Sequence, residues 1–298
     1  MKILDEAAVR SFLSMEELIP AMASALSDLS NNKAVQPVRT IIPVADHKGF
    51  LGVMPAYNKA LGAKLVTFYP ENQGIHTHNG VILLFRPETG EPIALMDGRL
   101  ITEMRTAAVS AVATDHLANK ETRTLAIIGS GVQARSHLEA LRTVRSFADV
   151  RVWSPRNSHR FADEHGITAC SSAEEAVTGA DVVVVATGAQ QPVLFGRWLK
   201  SGTHINAIGA NRPTWRELDD DVMNMSRIFV ESRESAMIES GDLIAAGQIA
   251  AEIGEVISGT VKGRQNLDEI TLFKSLGTAV EDIAAADLVY RKATGLER

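Results

Sequence analysis

Two groups of residues in this 298-residue chain carry chemistry that their apolar surroundings do not require. The first is the string GSGVQA. Its Gly129, Gly131 and Ala134 follow the apolar run TLAII and precede a stretch of helical periodicity. In that context the first glycine permits a tight turn, the second lets the backbone approach a pyrophosphate, and the small Ala134 lets helix and strand pack closely. Free N–H groups at the helix start would receive the phosphates. The string therefore predicts a dinucleotide site. The next apolar run, VRVW, ends without the Asp or Glu that would bond a ribose hydroxyl; Ser154 and Arg156 stand there instead, with Asn157, His159 and Arg160 beyond. Hydroxyl and guanidinium groups suit a 2′-phosphate, which favours NADPH, with NADH possible. A solvated basic loop is the plain alternative.

The second group is three cations inside apolar strings: Arg39 in PVRTIIPV, Lys64 in LGAKLVTF and Arg105 in ITEMRTAAVSAVAT. Buried Arg and Lys need anions. One pocket in which all three meet a substrate carboxylate satisfies them, and so do separate internal ion pairs, such as Arg105 with Glu103 or Asp97. The spacing leaves both open. Other constellations stay incomplete. His76 and His78 lie two apart, a spacing that could put both on one strand face, but no third ligand is evident, so no metal is expected, and the HExxH, GxSxG and Walker A patterns are absent.

These residues need elements to hold them. Asp5 to about Leu29 reads as two short helices, the second starting at Ser14, with Leu18, Met22 and Leu26 on one face. From Gln36 to Leu95, β-branched runs cut by Gly and Pro predict a mixed or antiparallel sheet. Ile101 to Leu117 has no breaker and reads as a buried helix leading into a linker, ANKET. Beyond the linker, strand and helix patterns alternate, the signature of a parallel sheet with crossover helices. Gly277 to Leu296 reads as a long amphipathic helix that returns to the first domain. The fold class expected is α/β: a Rossmann-type NAD(P)-binding domain over 119–277, plus an α+β domain over 1–118 and 278–298.

Composition removes other classes. A net charge of −6 offers no positive field for nucleic acid. The single cysteine, Cys170, excludes an intrachain disulfide and a multi-cysteine metal site. Charges in the first ten residues and the lack of a long apolar run argue against a signal peptide or membrane span, so the expectation is a cytoplasmic protein.

The strings QPVRT, LGVMPAY, KLVTFYPEN, THNGVILLF, ITEMRTAAVSAVAT, IGSGVQA, HINAIGANRPTWRELDDD, ESGD and FKSLGTAVED resemble the ornithine cyclodeaminase and mu-crystallin family over about Gln36 to Tyr290, most of all its mu-crystallin, ketimine reductase branch. The resemblance implies a homodimer whose α+β domain binds substrate and dimerises. It assigns Arg39, Lys64 and Arg105 to the substrate carboxylate, Gly129, Gly131, Val132, Gln133 and Ala134 to the pyrophosphate, and Ser154 and Arg156 to the adenosine phosphate. Thr106, Thr187 within Ala186–Gly188, Ile208–Asn211 and Ser275–Gly277 would line the nicotinamide. Cyclodeaminases and related alanine dehydrogenases carry an aspartate where this chain has Asn211, and an amide can orient a substrate but cannot act as a general base. The expectation is therefore reduction of small cyclic ketimine carboxylates, with Lys64 as candidate proton donor and Lys64, Arg105 and Asn211 as catalytic residues. Alternatives are an amino-acid dehydrogenase or cyclodeaminase acting on an amino acid, and a crystallin-like protein that binds NADPH and thyroid hormone.

Overall fold

The computed structural model describes residues 1–246 and 248–296. The chain forms two compact units, one of Met1–Arg105 with the chain from Gly277 onward, the other of Thr106–Leu276. The first division falls inside a helix, upstream of the linker at which the sequence places it. The second lies beside the expected one.

Unit 1 runs through β1 (Lys2–Leu4), α1 (Glu6–Phe12), α2 (Met15–Ser30), β2 (Thr40–Val44), β3 (Gly49–Tyr57), β4 (Leu61–Phe68), β5 (His78–Phe85), β6 (Pro92–Asp97) and the start of α3 (Arg99–Leu117). The Asp5 side chain caps α1 by accepting the Ala8 N–H at 2.9 Å. The sheet order is β1-β6-β5-β4-β3-β2. It is mixed: β2 to β6 pair antiparallel, and β1, unforeseen from the sequence, pairs parallel with β6. Alternation then sends successive side chains to opposite faces. Met54, Ala56, Ile82, Leu84, Ala94 and Met96 fill the buried face. The C-terminal helix (Ala279–Thr294) packs on α2 and on β3, β4 and β5. Lys64 occupies the same buried row, paired across the ladder with Met54 and Ile82.

Unit 2 contains β7 (Thr124–Ile128), α4 (Val132–Val144), β8 (Asp149–Trp153), α5 (Ser158–His165), β9 (Thr168–Ala169), α6 (Ala173–Val177), β10 (Val182–Val185), β11 (His204–Ala207), α7 (Asp220–Met225), β12 (Ser226–Val230), α8 (Arg233–Glu239), α9 (Gly241–Ala246), β13 (Ile249–Glu252), α10 (Ile253–Ile257) and β14 (Ile270–Lys274). The eight strands are parallel, in the order β13-β12-β14-β11-β10-β7-β8-β9. Helices cover both faces of such a sheet, so its central strands read as unbroken apolar runs, of which Val182–Val185 is the purest. From β7 the order steps to β8 and β9 on one side and to β10 and β11 on the other. This reversal is the place where Rossmann-type sheets bind dinucleotides. No helix among the described residues is long and apolar enough to cross a membrane.

Candidate active site

The cations of unit 1 gather around carboxylates from the C-terminal helix. Lys64, 2% exposed, puts Nζ 2.5 Å from Asp282 Oδ2. It also donates to Thr102 Oγ1 at 3.3 Å. Arg105 Nε donates to Asp282 Oδ1 at 2.9 Å, and its Nη1 to Glu281 Oε2 at 2.7 Å. Asp282 thus bridges Lys64 and Arg105. Arg39, half-buried, donates from Nη2 to the Gly277 carbonyl at 2.6 Å. Gly277 has φ +76°, and a Cβ there would lie 2.4 Å from Arg105 Nη1, so the guanidinium occupies space that only glycine leaves open. This arrangement corrects one expectation from spacing. Asp97 caps α3 at Leu100 N–H and Glu103 pairs with Arg99, whereas the carboxylates bonded to Arg105 are Glu281 and Asp282.

Electrostatics sets the protonation of this cluster. Burial pushes the Lys64 ammonium down to about 8; Asp282 pulls it upward, and Arg105 and Arg39 push it further down. The net result is a Lys64 ammonium held well below the range of an ordinary lysine. Burial pushes the Asp282 carboxyl upward, but Arg105 and Lys64 outweigh it and hold the group below its ordinary range.

In unit 2, Gly129 leaves β7 at φ +119° and donates its N–H to the Trp153 carbonyl at 2.8 Å. A Cβ there would lie 2.3 Å from the Ala186 carbonyl oxygen, so the turn admits only glycine. Gly131 caps α4, and a Cβ on it would meet nothing within 4 Å, which leaves open space before the first turn of the helix. Ala134 is fully buried against the sheet, while Val132 is exposed. Gln133 Oε1 is a buried acceptor with no hydrogen-bond partner among the described residues. The close turn and the open approach to the helix N-terminus, with its free N–H donors, fit a dinucleotide pyrophosphate.

Ser154, at the end of β8, accepts on Oγ from Ser130 Oγ at 2.8 Å and from Asn157 N–H at 3.2 Å, which leaves its own O–H to donate. Arg156 is exposed and forms no ion pair among the described residues. Thr187 donates both its N–H (3.0 Å) and its Oγ1–H (2.6 Å) to Glu217 Oε1. Asn211 is exposed, on a loop where its N–H donates to the Gly209 carbonyl at 3.0 Å. Among the described residues no group of three His, Cys, Asp or Glu is placed to hold a metal; β5 begins at His78, so His76 lies outside the strand on which the spacing could have paired them.

Sequence reasoning missed Glu217, Glu281 and Asp282. The acidic pair opening the apolar run AVEDIAAADLV was a usable signal, because buried carboxylates call for buried cations. Glu217, between Arg216 and Leu218 in a polar stretch, carried none.

Known proteins share this architecture over its whole length. The model of the Ornithine cyclodeaminase/mu-crystallin family matches residues 1–297. Ketimine reductase mu-crystallin of Mus musculus is 48% identical, over 94% of this chain and 96% of its own. Delta(1)-pyrroline-2-carboxylate reductase of Bacillus cereus is 38% identical, over 98% and 97%. The structure of Thermococcus litoralis Delta(1)-pyrroline-2-carboxylate reductase in complex with NADH and L-proline superposes with a TM-score of 0.94 at 42% identity, covering 99% of this chain and 98% of that one. An archaeal alanine dehydrogenase dimer with bound NAD gives 0.94 at 35% identity, covering 99% and 97%. With the dinucleotide turn in unit 2 and the cation cluster in unit 1, this full-length match places the chain in the ornithine cyclodeaminase/mu-crystallin family.

Proposed function

We propose that this protein is a nicotinamide-dependent reductase of cyclic ketimine carboxylates, such as the five- and six-membered dehydro forms of proline and pipecolate. The observation that carries the reading is the buried cluster in which Lys64, whose ammonium burial pushes down to about 8, is held with Arg39 and Arg105 around Asp282. Arg39 and Arg105 bind the substrate carboxylate, Arg105 through its planar fork. Fixing the carboxylate also fixes the adjacent C=N, which removes rotational freedom before reaction. When bound, the reduced dinucleotide supplies the hydride to the imine carbon. Lys64 Nζ gives its proton to the imine nitrogen, so that C=N becomes CH–NH, and Asp282 stabilises the ammonium before transfer. The amide of Asn211 orients the substrate and offers no base for amine oxidation.

Gly129, Gly131, Val132, Gln133 and Ala134 hold the pyrophosphate and Thr187 the nicotinamide side. NADPH is the preferred cofactor, because Ser154 has a hydroxyl proton to donate, Arg156 is exposed beside it, and no acid ends β8. The protein is a cytoplasmic homodimer in this reading. The open face of the unit 1 sheet supports the dimer: exposed Leu65 and Val81 align with half-buried Val53 across three strands, with Ile42 and Tyr57 also exposed, an apolar surface suited to a second copy. The domain assignment follows the same reading, 1–118 with 278–298 binding substrate and 119–277 binding cofactor. The test is the loss of NADPH absorbance on adding Δ1-pyrroline-2-carboxylate or Δ1-piperideine-2-carboxylate. Turnover supports the reading; NADPH binding with no turnover of either imine overturns it.

A further inference from the structure

We propose that Glu217 is a positioning residue that sets the nicotinamide end of the dinucleotide site, an inference that rests on the dinucleotide reading above. Its carboxylate is fully buried and accepts four bonds from two loops. Oε1 takes the N–H and the hydroxyl of Thr187, on the loop leaving β10. Oε2 takes the N–H of Gly209 at 2.6 Å and of Ala210 at 3.0 Å, on the loop leaving β11. One side chain therefore clamps together the carboxyl ends of two adjacent parallel strands.

The clamp is itself held in place. Asp242 Oδ1 accepts the N–H groups of Glu217 and Leu218 at 3.1 and 3.2 Å, and the Glu217 carbonyl accepts from Val193 and Leu194. There is no slack in the contact: a Cβ on Gly209 would lie 2.0 Å from the Thr187 carbonyl oxygen and 2.3 Å from Glu217 Oε1. Only an ionised carboxylate can accept all four donors, since a carboxylic acid or an amide would turn a proton toward one of them.

The location gives the clamp its function. In this strand order the pyrophosphate sits at the end of β7 and the adenosine half lies toward β8, so the nicotinamide half extends toward β10 and β11. The two loops tied by Glu217 are the ones that ring must rest on. Glu217 acts through Thr187, Gly209 and Ala210 rather than by contact with the reacting atoms.

The experiment compares two ligands on the purified full chain by titration calorimetry: NADPH, and 2′,5′-ADP, which carries the adenosine phosphates without nicotinamide. Glu217→Gln should weaken NADPH by about tenfold or more, the effect of unsatisfied buried donors, while 2′,5′-ADP affinity stays within about twofold. Hydrogen exchange of the ligand-free variant should quicken at 186–189 and 208–211. Glu217→Asp, which keeps the charge but is too short to reach both loops, should show the same split and serves if the Gln variant does not fold. Equal weakening of both ligands, no weakening of either, or failure of both variants to fold would make Glu217 a structural residue and overturn the proposal. A wild type that binds 2′,5′-ADP but not NADPH, or neither, would instead refute the dinucleotide reading beneath it.

Discussion

Lys64 and Lys274 are both fully buried lysines on interior strands, and each has an aspartate for a neighbour. Lys64 Nζ lies 2.5 Å from Asp282 Oδ2, whereas Lys274 Nζ lies 3.7 Å from Asp242 Oδ2 and makes no hydrogen bond among the described residues. The difference comes from what the carboxylates do. In unit 1, Asp282 and Glu281 bond directly to cations, and Asp282 offsets part of the burial that pushes the Lys64 ammonium down to about 8. In unit 2, Asp242 and Glu217 are occupied by backbone N–H groups, and Lys274 supplies only a favourable field against the burial that raises both carboxyls. In the proposed reading one cluster holds a proton for transfer and the other holds loops in place. The same three residue types serve either role according to whether their carboxylates bond cations or the N–H and hydroxyl groups of loops.

Replacing each lysine separates the two roles, and the largest effect belongs to Lys64. Lys64→Met should cut ketimine turnover by about 10²–10⁴-fold, the usual contribution of a general acid, in protein that still folds, the loss of stability being limited because Arg105 still pairs with Asp282. Lys274→Met should do the reverse. Removing one member of a buried charge group costs about 3–5 kcal/mol when the pair is tight, and the looser 3.7 Å contact puts this variant at the lower end, read in urea denaturation, with the residual folded enzyme still turning over. If Lys274→Met abolished turnover in fully folded protein, the division between the clusters would fail.

Asp282→Asn sharpens the comparison through pH. Asp282 raises the Lys64 pKa, so its loss lowers it, and protonated Lys64 then disappears at lower pH as pH rises. The basic limb of the kcat/KM profile should shift to lower pH, with activity at pH 6 less affected than at pH 8. A limb that stays in place would mean that another group donates the proton. The smallest change is in cofactor choice. Ser154→Asp should move preference from NADPH toward NADH by about tenfold, by setting a carboxylate against the 2′-phosphate, as steady-state kinetics with both cofactors would show. A wild type that already prefers NADH would refute the role given to Ser154.

The parts of this molecule legible in the sequence are those in which one short string determines both conformation and partner. GSGVQA follows an apolar strand and precedes a helix, and the turn at Gly129 obeys that local logic. The α/β class and the family resemblance were readable for the same reason. Strands β1, β9 and β13 were not, since runs of two to four residues show no periodicity and take their pairing from neighbours distant in the chain. Strand β14 escaped because ITLFK is a short apolar run that periodicity alone does not assign. Arg105 was visible as an anomaly in an apolar helix, but its partners lie more than 170 positions away, at Glu281 and Asp282. Spacing cannot choose a partner across such a distance; only the return of the C-terminal helix to the sheet does so.

That return also sets an order in time. Synthesis runs from the N-terminus, and everything needed for the eight-stranded sheet has emerged before the first residue of the C-terminal helix. Unit 2 has its whole sequence before the helix that completes unit 1 is made, so the older half of unit 1 must wait with its sheet uncovered and with Lys64 and Arg105 still hydrated. Dehydrating those cations before Glu281 and Asp282 arrive would cost several kcal/mol for each, which holds that sheet open until its counter-ions exist. The carboxylates that pair with Lys64 and Arg105 thus bear on when the first-made strands can close, and a chain stopped at Leu276 should give a folded dinucleotide unit tethered to an unfinished one.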